Sequence, residues 1–178
     1  GYLYQSTISV LKSLDNNDWD YIELEPNTPL EKVDVYWKRE GRVIKAVQIK
    51  SSKNYFEPSL INGCLLNLIK DAEDSDEYNL ILIGECSENT NILINNINNG
   101  NVSKLIKELR PYANKLKVEM VKYNYEQMLH SIDSVLQDYF KERGYSPEYI
   151  IIDIIKKVII HDFSRRSSFG IKLSKIEF

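Results

Sequence analysis

The chain has 178 residues, 43% hydrophobic and 28% charged, a balance that suits one globular domain with a helical appendage and excludes an intrinsically disordered protein. A net charge of −3 and a pI near 5.5 exclude a protein that coats nucleic acid by bulk charge, although they leave room for a local basic groove. The two cysteines, Cys64 and Cys86, stand apart without a CxxC pair, which argues against a disulfide framework or a zinc site and fits a reducing, cytoplasmic setting. The longest apolar runs, such as YIIIDIIKKVII, are broken by charges, and no signal-peptide pattern opens the chain, so no membrane association is expected. The first residue is Gly1 rather than Met, consistent with a segment of a longer protein.

In chain order, residues 3–14 place Tyr4, Ile8 and Leu11 along one side with Leu14 nearby, which predicts an amphipathic first helix. The period then changes to two. YIELE at 21–25, KVDVYWK at 32–38 and RVIKAVQIKS at 42–51 predict three strands rich in β-branched and aromatic residues. The REGR between the last two predicts a hairpin. Helix and strand then alternate: a helix opened by Pro58 with Leu60, Cys64, Leu65 and Leu68 at helical spacing, and a buried parallel strand in YNLILIGE at 78–85. Short helices at 88–97 and 102–109 follow, the second ending before Pro111, and then a strand in KLKVEMVKY. Two longer helices, at 124–142 with Asn124 as N-cap and at 147–161, complete the chain. The order α-β-β-β-α-β-α-β-α-α predicts an α/β domain with an antiparallel hairpin inside a mixed sheet flanked by helices. The expected division is an α/β core over 1–123 and a helical extension over 124–178, packed on the core, whose apolar faces suit a homo-oligomer or a link to a further domain.

Charge is unevenly spread. Lys38, Arg39, Arg42, Lys45, Lys50 and Lys53 gather along the hairpin, and acids gather in DAEDSDE at 71–77; solvated surface is the plain reading of each cluster. His130 and His161 fall on predicted helices and look structural, as does Cys64 on an apolar helix face.

Two strand positions break the apolar pattern. Alternation sets Val43, Val47 and Ile49 on one face and Ile44, Ala46, Gln48 and Lys50 on the other, so one face turns polar only at its end. Asp34, opposite Val33 and Val35, stands in a strand whose neighbours predict burial, where charge is rare unless paired or bound to metal. Counting outward from Glu40 and Gly41 sets Asp34 against positions 47–49. An acid, an amide oxygen and an amine then converge at one rim of the sheet. Carboxylate and amide oxygens suit Mg²⁺ or Mn²⁺, and a lysine beside such an ion can orient a water or stabilise charge on a phosphate. The chemistry implied is phosphodiester hydrolysis.

ELEP with Glu25, KVDVYW with Asp34 and VQIK with Gln48 and Lys50 resemble the PD-(D/E)xK restriction-endonuclease-like superfamily in its D…QxK variant. The opening GYLYQSTISVLKSL resembles the G-(F/Y)-x-Y-Q first helix of the double-stranded-DNA nuclease domains in bacterial anti-phage effectors, those of CBASS and ATPase-associated systems among them. That resemblance implies a restriction-endonuclease-like fold and an Mg²⁺-dependent endonuclease acting on double-stranded DNA, with an ATPase or sensor as partner or fused domain. It implies Asp34 as central metal ligand, Gln48 as an oxygen ligand in place of the usual acid, Lys50 as the water-orienting lysine and Glu25 as an additional acid, with Glu23 as its alternative. Gln5 and Tyr4 become helix residues supporting the site. Gln48 removes one negative charge and so weakens metal binding. The alternative is a catalytically weak or inactive nuclease-like module that binds DNA or recruits a partner.

Overall fold

The computed structural model describes residues 2–15, 18–72, 74–122, 125–167 and 172–174. Residues Tyr2–Asp15 form helix α1. Within it the hydroxyls of Ser9 and Ser13 donate to the carbonyls of Gln5 and Ser9 at 2.7 and 2.6 Å, which satisfies these polar side chains where the helix is buried. Three antiparallel strands follow: β1 (Tyr21–Leu24), β2 (Val35–Arg39) and β3 (Arg42–Ser51). The β2–β3 turn is Glu40-Gly41, both at positive φ of 50° and 77°, the backbone that closes a two-residue hairpin without splaying its strands.

Beyond the hairpin the chain adds strands outward from β3 through helices. Helix α2 (Pro58–Asp71) leads to β4 (Glu77–Ile83), and α3 (Glu88–Asn98) leads to β5 (Leu116–Val121). Both strands join in parallel register; the apolar run of β4 suits burial on two faces, while edge strand β5 alternates apolar with charged residues. The Ser87 side chain caps α3 by accepting from the Thr90 N–H. Helices α4 (Tyr125–Glu142) and α5 (Tyr149–Ser167) follow, and β6 (Lys172–Ser174) pairs antiparallel with β1. The sheet runs β5-β4-β3-β2-β1-β6. The expected α/β domain with a mixed sheet between helices is what forms.

Two apolar cores flank the sheet. On one face, Tyr36, Ala46, Tyr78, Leu80, Leu82 and Val118 meet Ile61, Leu65 and Leu68 of α2 and Ile94 and Ile97 of α3. On the other, Val35, Trp37, Val47, Ile49 and Ile81 meet Ile8 of α1, Met128, Ile132 and Leu136 of α4, and Ile152, Ile160 and Phe163 of α5. Each buried Val, Leu, Ile, Phe or Met among them contributes about 1.5–3 kcal/mol by removal from water. Lys12 of α1 also pairs with Glu119 of β5 at 2.5 Å, tying the first helix to the far edge of the sheet.

Several local expectations need correction. Trp37 pairs with Lys45 but Lys38 with Val43, so Ile44 is an extra residue in β3. This bulge turns Val43 into the core of Ala46 and sets Ile44 against the core of Val47, the reverse of strict alternation. Val33 and Val35 likewise fall in opposite cores, because β2 starts at Val35 and the chain before it is not a regular strand. The 102–109 segment makes a 3-10 turn at Val102–Lys104, and Pro111 sits inside a second, Arg110–Lys115. Leu105, Leu109 and Ala113 are buried there, so tertiary contacts shape this segment more than helical period. Helix α5 runs on to Ser167 and leaves Ile150, Ile154 and Val158 exposed. The strand β6 carried no signal in the period of the chain. Asn124 lies outside the described residues.

Candidate active site

Asp34 sits where β1, β2 and β3 meet. Its N–H donates to the Val47 carbonyl at 2.9 Å and its carbonyl accepts the Glu25 N–H at 2.8 Å. Its carboxylate accepts the Ile49 N–H at 2.5 Å and is also hydrogen-bonded by the Gln5 side chain of α1. The side chain therefore stands in the ladder, oriented by backbone. Burial is the main influence on this carboxyl and pushes its pKa up, against the Ile49 N–H, Lys50, Gln5 and Lys32, which pull it down.

Gln48 lies between Val47 and Ile49 in β3 and is 1% exposed, yet its Oε1 has no hydrogen-bond partner among the described residues. An orphaned buried acceptor costs about 1–3 kcal/mol, so it demands a reason. Lys50, two residues on and half-buried, acts electrostatically on Asp34 and on Glu25.

Glu25 follows β1 with φ at 45°. A left-handed non-glycine backbone immediately before a proline is costly, about 1–3 kcal/mol, and such strain gathers at functional positions. Its carboxyl is pushed up to about 7, first by burial and then by the Asp34 charge, with Lys50 opposing and Glu31 adding. Glu23, the alternative acid, pairs instead with Lys38 at 3.0 Å. The geometry thus brings Glu25, Asp34, Lys50 and Gln5 together, sets Gln48 between the two β3 residues whose backbone bonds Asp34, and directs Glu23 elsewhere. Tyr4 belongs to α1, and its side chain lies outside the described residues.

Among the described residues, no group of three or more His, Cys, Asp or Glu converges as a metal cage. Two carboxyls and one amide oxygen do suit a hard cation that keeps several waters. The Gln48 Oε1 supplies the test of fit, since a cation is what an acceptor without a donor can take.

Residues unmarked by the sequence hold the site in shape. Asp71, the last residue of α2, is buried and accepts from the Thr28 hydroxyl at 2.7 Å and from the Leu30 and Lys32 N–H groups at 2.6 Å each. It anchors the loop between Glu25 and Asp34, which corrects the plain reading of DAEDSDE as surface charge at its first position. The signal was present: a carboxylate at a helix C-terminus opposes the dipole and calls for donors. Cys64 of α2 lies near enough for Lys50, Lys32 and Asp34 to influence it, but burial dominates and pushes the thiol up, away from nucleophilic use. The hairpin cations are mostly paired, Arg39 with Asp18, Arg42 with Asp76 and Lys45 with Glu77, so they do not make one basic groove. Asp162 of the HDF stretch pairs with Arg165 and Arg166, a helix-surface role.

An α/β domain with a mixed sheet and a cluster of two acids, an amide and an amine at its strand ends is the class that fold and site define. That fold is shared with solved structures of the Acinetobacter baumannii Cap4 SAVED/CARF-domain containing receptor. With the cyclic trinucleotide 3'3'3'-cAAA the TM-score is 0.67 at 16% identity, over 96% of this chain and 41% of the receptor. With 2'3'3'-cAAA it is 0.68 at 16% identity over 96% and 41%, and for the receptor alone 0.68 at 16% over 96% and 43%. The chain thus spans less than half of that receptor's length, and the likeness is one of fold. No family model and no curated protein matches the chain. Among the described residues no helix is long and apolar enough to cross a membrane.

Proposed function

We propose that the chain is a metal-dependent DNA endonuclease domain of restriction-endonuclease-like type, serving as the effector part of a bacterial anti-phage defence protein. The observation that carries this reading is the buried Gln48 Oε1, without a hydrogen-bond partner among the described residues, one position before the Ile49 N–H that orients the Asp34 carboxylate, with Lys50 acting on both Asp34 and Glu25. The shared fold with the Cap4 receptor supports the defence context, and that receptor's name suggests a sensor for a cyclic oligonucleotide as fused or partner domain.

Asp34, Glu25 and Gln48 are the residues that would hold Mg²⁺ or Mn²⁺. Such an ion, when bound, supplies positive charge to a phosphate and acidifies a bound water. The chain's own part is orientation and charge. The Ile49 N–H and the Gln5 amide fix the Asp34 carboxylate before substrate arrives, so little reorganisation is left to the reaction. Lys50 presents an ammonium to orient the attacking water and to balance charge growing on the phosphate. The raised Glu25 carboxyl gives the cluster a group that takes a proton near neutral pH.

The test is cleavage of plasmid with Mg²⁺ by the wild type and by Asp34→Ala and Lys50→Ala proteins shown to be folded. Loss of cleavage in both variants is expected; cleavage that survives both sinks the assignment. A second reading, a nuclease-like module that binds DNA or recruits a partner without cutting, draws on the neutral Gln48 and the lack of a three-acid cluster among the described residues. Calorimetric titration showing no Mg²⁺ or Mn²⁺ binding, with DNA binding indifferent to Asp34→Ala, would favour it.

A further inference from the structure

Beyond the carboxyl ends of β3, β4 and β5 lies an open cavity of about 800 Å³ that the acid–amide–amine cluster does not use. Open α/β sheets bind ligands at this edge, and sites for small molecules have about this volume. Its lining is of two kinds. Ile83, Met120 and Val121 supply an apolar surface, while Lys53 after β3 and Lys122 after β5 supply exposed ammonium groups. Tyr55, 62% exposed, also lines it, its hydroxyl hydrogen-bonded to Glu85.

The wall is built closely. Gly84 follows β4 at φ 141°, and a Cβ there would come within 2.6 Å of the Ser52 carbonyl oxygen and 3.3 Å of the Phe56 ring. Glycine lets the chain after β4 pass directly against the segment after β3, so the cavity opens beside that segment. Lys50 of the neighbouring cluster and Lys53 of the cavity are three residues apart, at most about 10 Å of chain, so both can meet neighbouring parts of one DNA strand.

We propose that this cavity receives one nucleotide of the DNA strand next to the phosphate engaged at Lys50, with its base against Tyr55 and the apolar floor and its phosphate on Lys53 and Lys122. The proposal rests on the reading of the neighbouring cluster as one that acts on DNA. Aromatic stacking accepts any base, and lysines read phosphate without sequence, so the cavity adds grip and position along the strand rather than sequence choice.

The experiment is fluorescence anisotropy of a labelled single-stranded oligonucleotide with the full chain in EDTA, where binding is read without cleavage. A Lys53→Glu, Lys122→Glu protein should bind at least about tenfold more weakly and lose about two units of salt slope. Tyr55→Ala should weaken binding by about tenfold, and Tyr55→Phe should keep it. Unchanged affinity and salt slope in the charge-reversed protein overturn the proposal, as does an equal loss in Tyr55→Phe and Tyr55→Ala. Binding of dAMP that the variants abolish, with oligonucleotide binding untouched, also overturns it and assigns the cavity to a free nucleotide. Plasmid cut in Mg²⁺ by the Asp34→Ala and Lys50→Ala proteins as by the wild type sinks the nuclease reading and leaves the EDTA binding result standing, so the two failures are distinct.

Discussion

The Asp34 carboxylate accepts the Ile49 N–H at 2.5 Å, so a side chain fills a place in the β2–β3 ladder that a carbonyl would ordinarily take. Asp34→Asn keeps that acceptor and removes a buried charge. Because burial raises this pKa above 3.8, the charged form weighs against the fold once the pH passes that value. The Asn protein should therefore unfold in urea at neutral pH no earlier than the wild type, while losing cleavage. Asp34→Ala should cost about 1–3 kcal/mol by stranding the Ile49 N–H. An Asn variant as unstable as the Ala variant would show that the carboxylate's charge, rather than its acceptor role, holds the ladder.

Gln48→Glu restores the acid that the D…QxK pattern lacks. A carboxylate introduced at a 1% exposed position is disfavoured without a counter-ion. Melting without divalent ions should drop by several degrees, a loss of about 1–3 kcal/mol. The rise in melting temperature on adding Mg²⁺ should exceed that of the wild type. Equal rises in both proteins would remove position 48 from the metal.

Glu25 carries a pH signature. Its carboxyl titrates at about 7 in the fold against 4.5 ordinarily, so between those values the folded chain binds more protons than the unfolded one. Stability from this group is complete below pH 4.5 and is lost as the pH rises through about 7. The group is partly exposed to solvent, so after screening the loss is on the order of 1 kcal/mol. Glu25→Gln should flatten melting temperature between pH 5 and pH 8, and Mg²⁺ affinity of the wild type should climb over the same window. A parallel pH profile in both proteins would contradict the assignment.

Asp71 tests support at a distance. Burial alone would raise its carboxyl, but the N–H groups of Leu30, Lys32 and Val33 and the Thr28 hydroxyl outweigh burial and lower it. Its stabilising effect is thus present above pH 3.8 and is lost as the pH falls through its lower folded value. Asp71→Ala should cost about 2–4 kcal/mol, since it strands the buried Thr28 hydroxyl and the partly buried Leu30 and Lys32 N–H groups together. It should also weaken Mg²⁺ binding by loosening the loop that ends at Asp34. Calorimetry at 20 °C, well below melting, separates the two effects. Unaltered Mg²⁺ affinity would mean that the loop holds its shape without Asp71.

The sequence by itself marked the order of the main helices and strands from α1 to α5 and set the candidate residues Glu25, Asp34, Gln48 and Lys50 in line, because period and turn residues are local properties of the chain. The Glu40-Gly41 hairpin followed for the same reason, and it set Asp34 against positions 47–49. Only the tertiary structure decided which glutamate joins Asp34: Glu23 and Glu25 look alike in sequence, but Lys38 reaches Glu23 across the β1–β2 pair. It also decided that Ile44 bulges, that Asp71 anchors a loop some forty residues earlier in the chain, and that Leu105, Leu109 and Ala113 fold as tight turns rather than a helix. Each of these is settled by contacts between segments far apart in sequence, where burial and hydrogen-bond satisfaction override local preference.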